Sequence, residues 1–181
     1  MNHIRHRESD GSRDLQYPPL PEALTVGVYD NHTHLEISDG EPGEQLDYRE
    51  HLDRASSVGV RGVVQVGGDL DTSRWSAEVA AREPRVLAGV ALHPNEVPEL
   101  ASSGRLDAAL AEIDELAGRP RVRAIGETGL DYFRTEGHSD REAQLRSFEA
   151  HISIAKNHGL ALQIHDRDAH DKVIATLLRV G

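Results

Sequence analysis

The chain has 181 residues, 38% of them apolar and 28% charged, with aromatics at only 4%, no cysteine and a formal net charge of −11. These numbers suit one globular domain with an aliphatic core. They exclude disulfides and thiolate metal sites and leave any phosphate to be held by metal ions and a few local Arg or His residues, because an acidic surface repels polyanions.

Residues 1–24 are polar and then proline-rich, through Tyr17-Pro18-Pro19-Leu20-Pro21. They predict a disordered or extended lead-in, with His3 and His6 solvated. No apolar region follows Met1–Glu8, so the N-terminus does not read as a secretory signal. No apolar run reaches the roughly 20 residues of a membrane span, and the expected compartment is the cytoplasm.

Residues 25–181 carry a regular alternation. Short β-branched runs at Val26–Tyr29, Val60–Val66, Val86–Ala91, Val122–Ile125 and Leu160–Ile164 predict buried parallel strands. Between them lie helical patterns near 44–58, 72–83, 106–117 and 140–158, and a last one begins near Asp168. Leu145, Phe148, Ile152 and Ala155 mark one face of the helix over 140–158. Ser139 and Glu142 predict a capping box at its start, and Gly159 its stop. Trp75 is expected to pack its helix onto the sheet. The order βαβαβαβαβα means α/β with right-handed crossovers, either an open doubly wound sheet or a TIM-type barrel. Eight such units would need about 270 residues, close to the roughly 250 of a barrel; here five are present.

The strand ends carry the chemistry. Asp30-Asn31-His32-Thr33-His34-Leu35-Glu36 follows the first strand. Residues two apart on a strand point the same way, so His32 and His34 can chelate one cation. Asp30 shares their parity and can orient a His ring from behind. The third strand ends at His93-Pro94, the fourth in Gly126-Glu127-Thr128-Gly129-Leu130-Asp131, and the fifth in His165-Asp166-Arg167. Active sites of (β/α) barrels sit on this C-terminal rim. Glu127 can bridge two metal ions, with His165 on the second. His93 and Arg167 can donate to a phosphate oxygen, and Asp131 is a further supporting or phosphate-side candidate. His51, His138, His151, His158 and His170 fall within or at the start of helices and read as surface or core residues.

Together, Asp30–Leu35, Ala91-Leu92-His93-Pro94, Ala124–Tyr132 and Gln163–Arg167 resemble successive signatures of the TatD family of metal-dependent DNases, over about residues 26 to 181. The resemblance implies a (β/α)8 TIM barrel of which about the first five βα units are here. It also implies two divalent metal ions (Mg, Mn or Zn) and hydrolysis of DNA phosphodiester bonds. Residue by residue, it implies that His32 and His34 bind one metal, Glu127 bridges both, His165 binds the other, and His93 faces the phosphate. The family has two further ligands, a His on the sixth strand and an Asp on the eighth, which this chain does not reach. The expectation is therefore a fragment or truncated reading frame, or a barrel completed by a second polypeptide, with raw sheet edges in between. Two other readings stand beside the DNase. One is an amidohydrolase-like barrel acting on cyclic amides or esters, disfavoured because many such enzymes place a carbamylated Lys where Glu127 stands. The other is a metal-binding or partner-binding module without catalysis.

Overall fold

The computed structural model describes residues 16–38 and 46–181, together with the backbone of Arg5 and His6. His3, and the first residues of the helix expected over 44–58, lie outside them. Five parallel strands form the central sheet: β2 (Val28–Thr33), β4 (Val60–Val66), β5 (Val86–Val90), β6 (Val122–Asp131) and β7 (Ala161–Arg167). Two short parallel strands, β1 (Arg5–His6) and β3 (Ile37–Ser38), pair apart from it. The helices are α1 (Tyr48–Ser57), α2 (Leu70–Arg82), α3 (Val97–Ser102), α4 (Leu106–Ala117), α5 (His138–His158) and α6 (His170–Val180).

Strand order separates the two architectures. The order β2-β4-β5-β6-β7 follows the chain without reversal, whereas a doubly wound sheet reverses at a switch point. The sheet is also strongly curled. Flat strands about 4.8 Å apart would hold β2 and β7, with three strands between them, far beyond side-chain reach. Yet the Gln163 amide on β7 donates to the carbonyl of Asn31 on β2 at 2.5 Å. The fold is therefore a partial TIM-type barrel. Its core lies between sheet and helices, with Val63, Val86, Val90, Ile113 and Ile125 buried. A second cluster around Leu130, Phe148, Ile152 and Val173 sits beneath α5 and α6. Trp75 meets Tyr48 edge-on at 5.8 Å and is buried against the sheet.

Three expectations need correction. The first strand is Val28–Thr33 rather than Val26–Tyr29, because the ladder to β4 runs on through the polar motif: Asp30 pairs with Val63 and Thr33 with Gln65. For the same reason β6 continues six residues past Ile125, through Glu127 to Asp131, along β7. The Ser139–Glu142 capping box does not form. α5 begins at His138 with Gly137 as its cap, so Ser139 already lies inside the first turn and its hydroxyl meets Asp140 instead. Capping boxes do form at Asp47/Glu50 of α1 and Asp69/Thr72 of α2, the latter starting that helix earlier than its apolar period suggests. Residues 16–24 hold neither helix nor strand. They lie along α1, with Tyr17 accepting from the Leu46 amide and Arg54 donating to the Pro18 carbonyl.

Candidate metal centre

The five candidate site residues leave the C-terminal rim of four strands. His32 lies in β2 and His34 just after it, their rings 5.2 Å apart. His93 follows β5, Glu127 lies in β6 and His165 in β7. The fold brings all five together in two clusters whose ligand atoms lie within 4.8 Å of one another: His32, His34 and Glu127; and His93, Glu127 and His165. Glu127 belongs to both. Its Oε2 faces His32 Nε2 at 3.6 Å, and its Oε1 faces His165 Nδ1 at 2.9 Å and His93 Nε2 at 3.9 Å. A hydrogen bond from the His165 ring holds the Glu127 carboxyl below its ordinary pKa against the opposing effect of burial. A charged carboxylate amid three imidazoles is a donor set suited to divalent cations of the zinc and manganese type.

Buried polar groups hold these ligands from behind. Glu36, only 2% exposed, faces His34 Nδ1 at 3.4 Å. Gln65, also buried, fixes that carboxylate by donating to Glu36 Oε2 at 2.6 Å while accepting from the Leu35 amide at 2.6 Å. Hydrogen bonding to Glu36 raises the His34 pKa. Asp131 accepts from His165 Nε2 at 3.1 Å. Burial pushes the Asp131 carboxyl up, but the Arg134 amide and the His165 ring outweigh it and leave it lowered. Such carboxylate–histidine pairs set ring orientation and basicity in metal sites.

Asp30 does not do this. Its Oδ1 accepts from the His32 backbone amide at 3.1 Å, at the register shift within β2, and does not reach a ring. Glu36 and Gln65 were missed, although Glu36 shares the parity of His34 and Gln65 interrupts the valines of Val63–Val66. Arg167 is exposed, and its guanidinium lies 3.8 Å from the Phe133 ring centroid.

His93 is set apart from the other imidazoles by its tautomer. The Asn95 amide donates to His93 Nδ1 at 3.2 Å. In the neutral ring the hydrogen then sits on Nε2, the atom that faces the site. Burial lowers the His93 pKa to about 4, so near neutral pH the ring offers the site a hydrogen-bond donor.

A polar face of α5 braces the loops that carry these groups. Gln144, fully buried, accepts from the Asp131 amide at 3.0 Å and donates to the Pro94 carbonyl at 3.0 Å. His151, also fully buried, accepts from the Leu92 amide through Nε2 at 3.1 Å and contacts the Ser147 carbonyl through Nδ1 at 2.7 Å. It is thus a structural clamp, as its helical setting suggested, with both nitrogens occupied. Burial lowers its pKa to about 4 from 6.5. The folded-state pKa lies below the unfolded one, so the unfolded chain binds the extra proton first. Stability should be intact above about pH 6.5 and fall as the pH drops toward 4, by roughly 1.4 kcal/mol per pH unit for this one group. Urea unfolding of His151→Gln at pH 7.5 and pH 5 should show a flatter loss than the unaltered chain. An equal slope in both would mean that the proton uptake lies elsewhere.

The family model described as TatD related DNase matches residues 29–181. The uncharacterized metal-dependent hydrolase TatD of Mycobacterium tuberculosis is 38% identical over 157 residues, covering 85% of this chain and 57% of the relative. The uncharacterized metal-dependent hydrolase YabD of Bacillus subtilis is 30% identical, covering 85% and 56%. The 3′-5′ ssDNA/RNA exonuclease TatD of Escherichia fergusonii is 36% identical over 125 residues, covering 68% and 45%. The chain therefore spans about half the length of the curated relatives it matches. Among solved structures, the TatD homolog YJJV of Escherichia coli superposes with a TM-score of 0.68 at 24% identity, covering 84% of this chain and 55% of that one. A TatD family hydrolase of Entamoeba histolytica gives 0.69 at 22%, covering 89% and 56%. Both are likenesses of fold.

Proposed function

The chain belongs to the TatD-related DNase family, and from that membership we propose that its rim is the metal site of a phosphodiesterase acting on DNA. The observation that carries this reading is Glu127, whose two oxygens face two separate histidine clusters. His32, His34 and Glu127 would hold one divalent ion, and Glu127 and His165 the other. Bound there, such ions (Mg, Mn or Zn) would lower the pKa of a coordinated water and neutralise charge developing on the phosphate. His93, neutral and carrying its hydrogen on Nε2, donates to a phosphate oxygen. Glu36 and Asp131 hold the His34 and His165 rings at their angles. Relatives named as 3′-5′ ssDNA/RNA exonucleases support nucleic acid as the substrate class. The further His and Asp ligands implied by the resemblance would enter on strands paired at the β2 and β7 edges, where Tyr29 and Ile164 are exposed. Those strands would belong to this polypeptide or to a second one. Among the described residues no helix is long and apolar enough to cross a membrane.

Thermal unfolding with Mn²⁺ at about 100 times its Kd should raise stability by about 2.7 kcal/mol, several degrees in melting temperature, and His34→Ala should lose most of that rise. Labelled single-stranded DNA should be cut in Mn²⁺ and spared in EDTA. The absence of both a metal-dependent shift and chelator-sensitive cutting would defeat the proposal. A shift without cutting would leave a metal-binding module.

A further inference from the structure

The rim beside His165 carries an aromatic ring that the core does not use. Phe133 lies on the β6–α5 loop, two residues past Asp131, and is 57% exposed. Phe148, the other phenylalanine, is fully buried, as a ring used for packing should be. Arg167 lies two residues past His165 at the end of β7, so it leaves the strand on the same face. Its guanidinium sits 3.8 Å from the Phe133 ring centroid.

The pair is anchored to the ligand-bearing strands. Asp131 pairs with Arg167 in the β6–β7 ladder, and the Tyr132 amide donates to the Arg167 carbonyl at 2.8 Å. The Arg134 amide donates to Asp131 Oδ1 at 2.9 Å. Arg167 on the ring and Arg134, its neighbour in sequence, are both exposed in a chain whose net charge is −11. The Arg134 charge is felt at His93 and the Arg167 charge at Asp131.

We propose that Phe133 and Arg167 form a stacking platform that receives a nucleobase from a single-stranded end while the adjoining phosphate lies at Glu127. This rests on the phosphodiesterase reading and adds to it the residues that hold the base. A base stacks on an aromatic ring or a guanidinium plane whatever its identity, so the platform is sequence-tolerant. A base stacked within a duplex has no free face to offer, so frayed or single-stranded ends are selected. The two guanidiniums supply the local positive charge that the chain as a whole lacks.

Fluorescence anisotropy of the full chain in Mg²⁺ can compare two labelled phosphorothioate tetranucleotides, one of thymidine and one abasic. Stacking predicts that the thymidine probe binds about 5- to 100-fold more tightly than the abasic one. Phe133→Ala should bring that ratio toward one, and Phe133→Trp should keep or widen it. Circular dichroism should show the native fold in both variants, since the ring belongs to neither core cluster. A ratio near one in the unaltered chain, or a ratio that survives Phe133→Ala, overturns the platform and leaves the phosphodiesterase reading standing. Binding of neither probe overturns the platform, and the Mn²⁺ shift and chelator-sensitive cutting then decide the phosphodiesterase reading.

Discussion

Replacing Glu127 by Ala should remove metal-dependent stabilisation almost entirely and hydrolysis with it. The reason is the sharing of one carboxylate between two clusters. Loss of His34 weakens one cluster and loss of His165 the other, whereas loss of Glu127 strips the anionic ligand from both. Groups that merely support a ligand are worth about 10- to 100-fold in metal affinity, so a shared ligand should be worth at least the upper figure. Mn²⁺ at about 100 times the Kd of the unaltered chain would then stand near the variant's Kd. Stabilisation would drop from about 2.7 to about 0.4 kcal/mol. His93→Ala is the informative contrast. Because the Asn95 amide occupies Nδ1 and leaves a donor on Nε2, it should cost catalysis while most of the Mn²⁺ shift survives. Calorimetric titration distinguishes the two roles. A Glu127→Ala chain that keeps its Mn²⁺ affinity, or a His93→Ala chain that loses it, would mean that the ligand set is misassigned.

The sequence is most legible where one residue answers to one constraint. The β-branched runs gave the strands, and their polar ends gave the five side chains that the curled sheet gathers at its rim. What escaped were residues whose role depends on a partner distant in the chain. Gln65 looks like a flaw in an apolar strand until Glu36 is placed against it. Gln144 looks like a polar residue on a helix face until the loops at Pro94 and Asp131 close over it. Asp30 shows the converse. Parity suggested that it would reach a neighbouring ring, but the nearer backbone amide of His32 won, a local competition that short polar side chains often settle this way. The ends of β2 and β6 were misjudged for a related reason. Apolar pattern records which side chains are buried, while strand length here is set by backbone pairing that continues through the polar site.

Gly129→Ala should be the most destabilising single-methyl change in the site. At φ +145° a Cβ on residue 129 would stand 2.0 Å from the His165 carbonyl oxygen, 3.0 Å from its carbon and 3.1 Å from its amide nitrogen. All three atoms are backbone of β7, so no rotamer change relieves the clash. The β6–β7 ladder must open where Gly129, Leu130 and Asp131 pair with His165, Asp166 and Arg167. A loss of at least about 3 kcal/mol is expected, in the range of the larger single-residue effects. Gly104→Ala controls for backbone conformation. Its φ of +70° is also left-handed, but nothing lies within 4 Å of the added methyl, so only about 1–2 kcal/mol should be lost. The site should respond differently as well. Opening the ladder withdraws His165 from both Glu127 and Asp131, whereas Gly104 lies between α3 and α4 and on neither strand of that ladder. Urea unfolding and Mn²⁺ titration of the two variants therefore separate the effects. If Gly129→Ala were no worse than Gly104→Ala and bound Mn²⁺ normally, β6 and β7 would not be packed as closely as the geometry requires. His165 would then owe its position to something other than this contact.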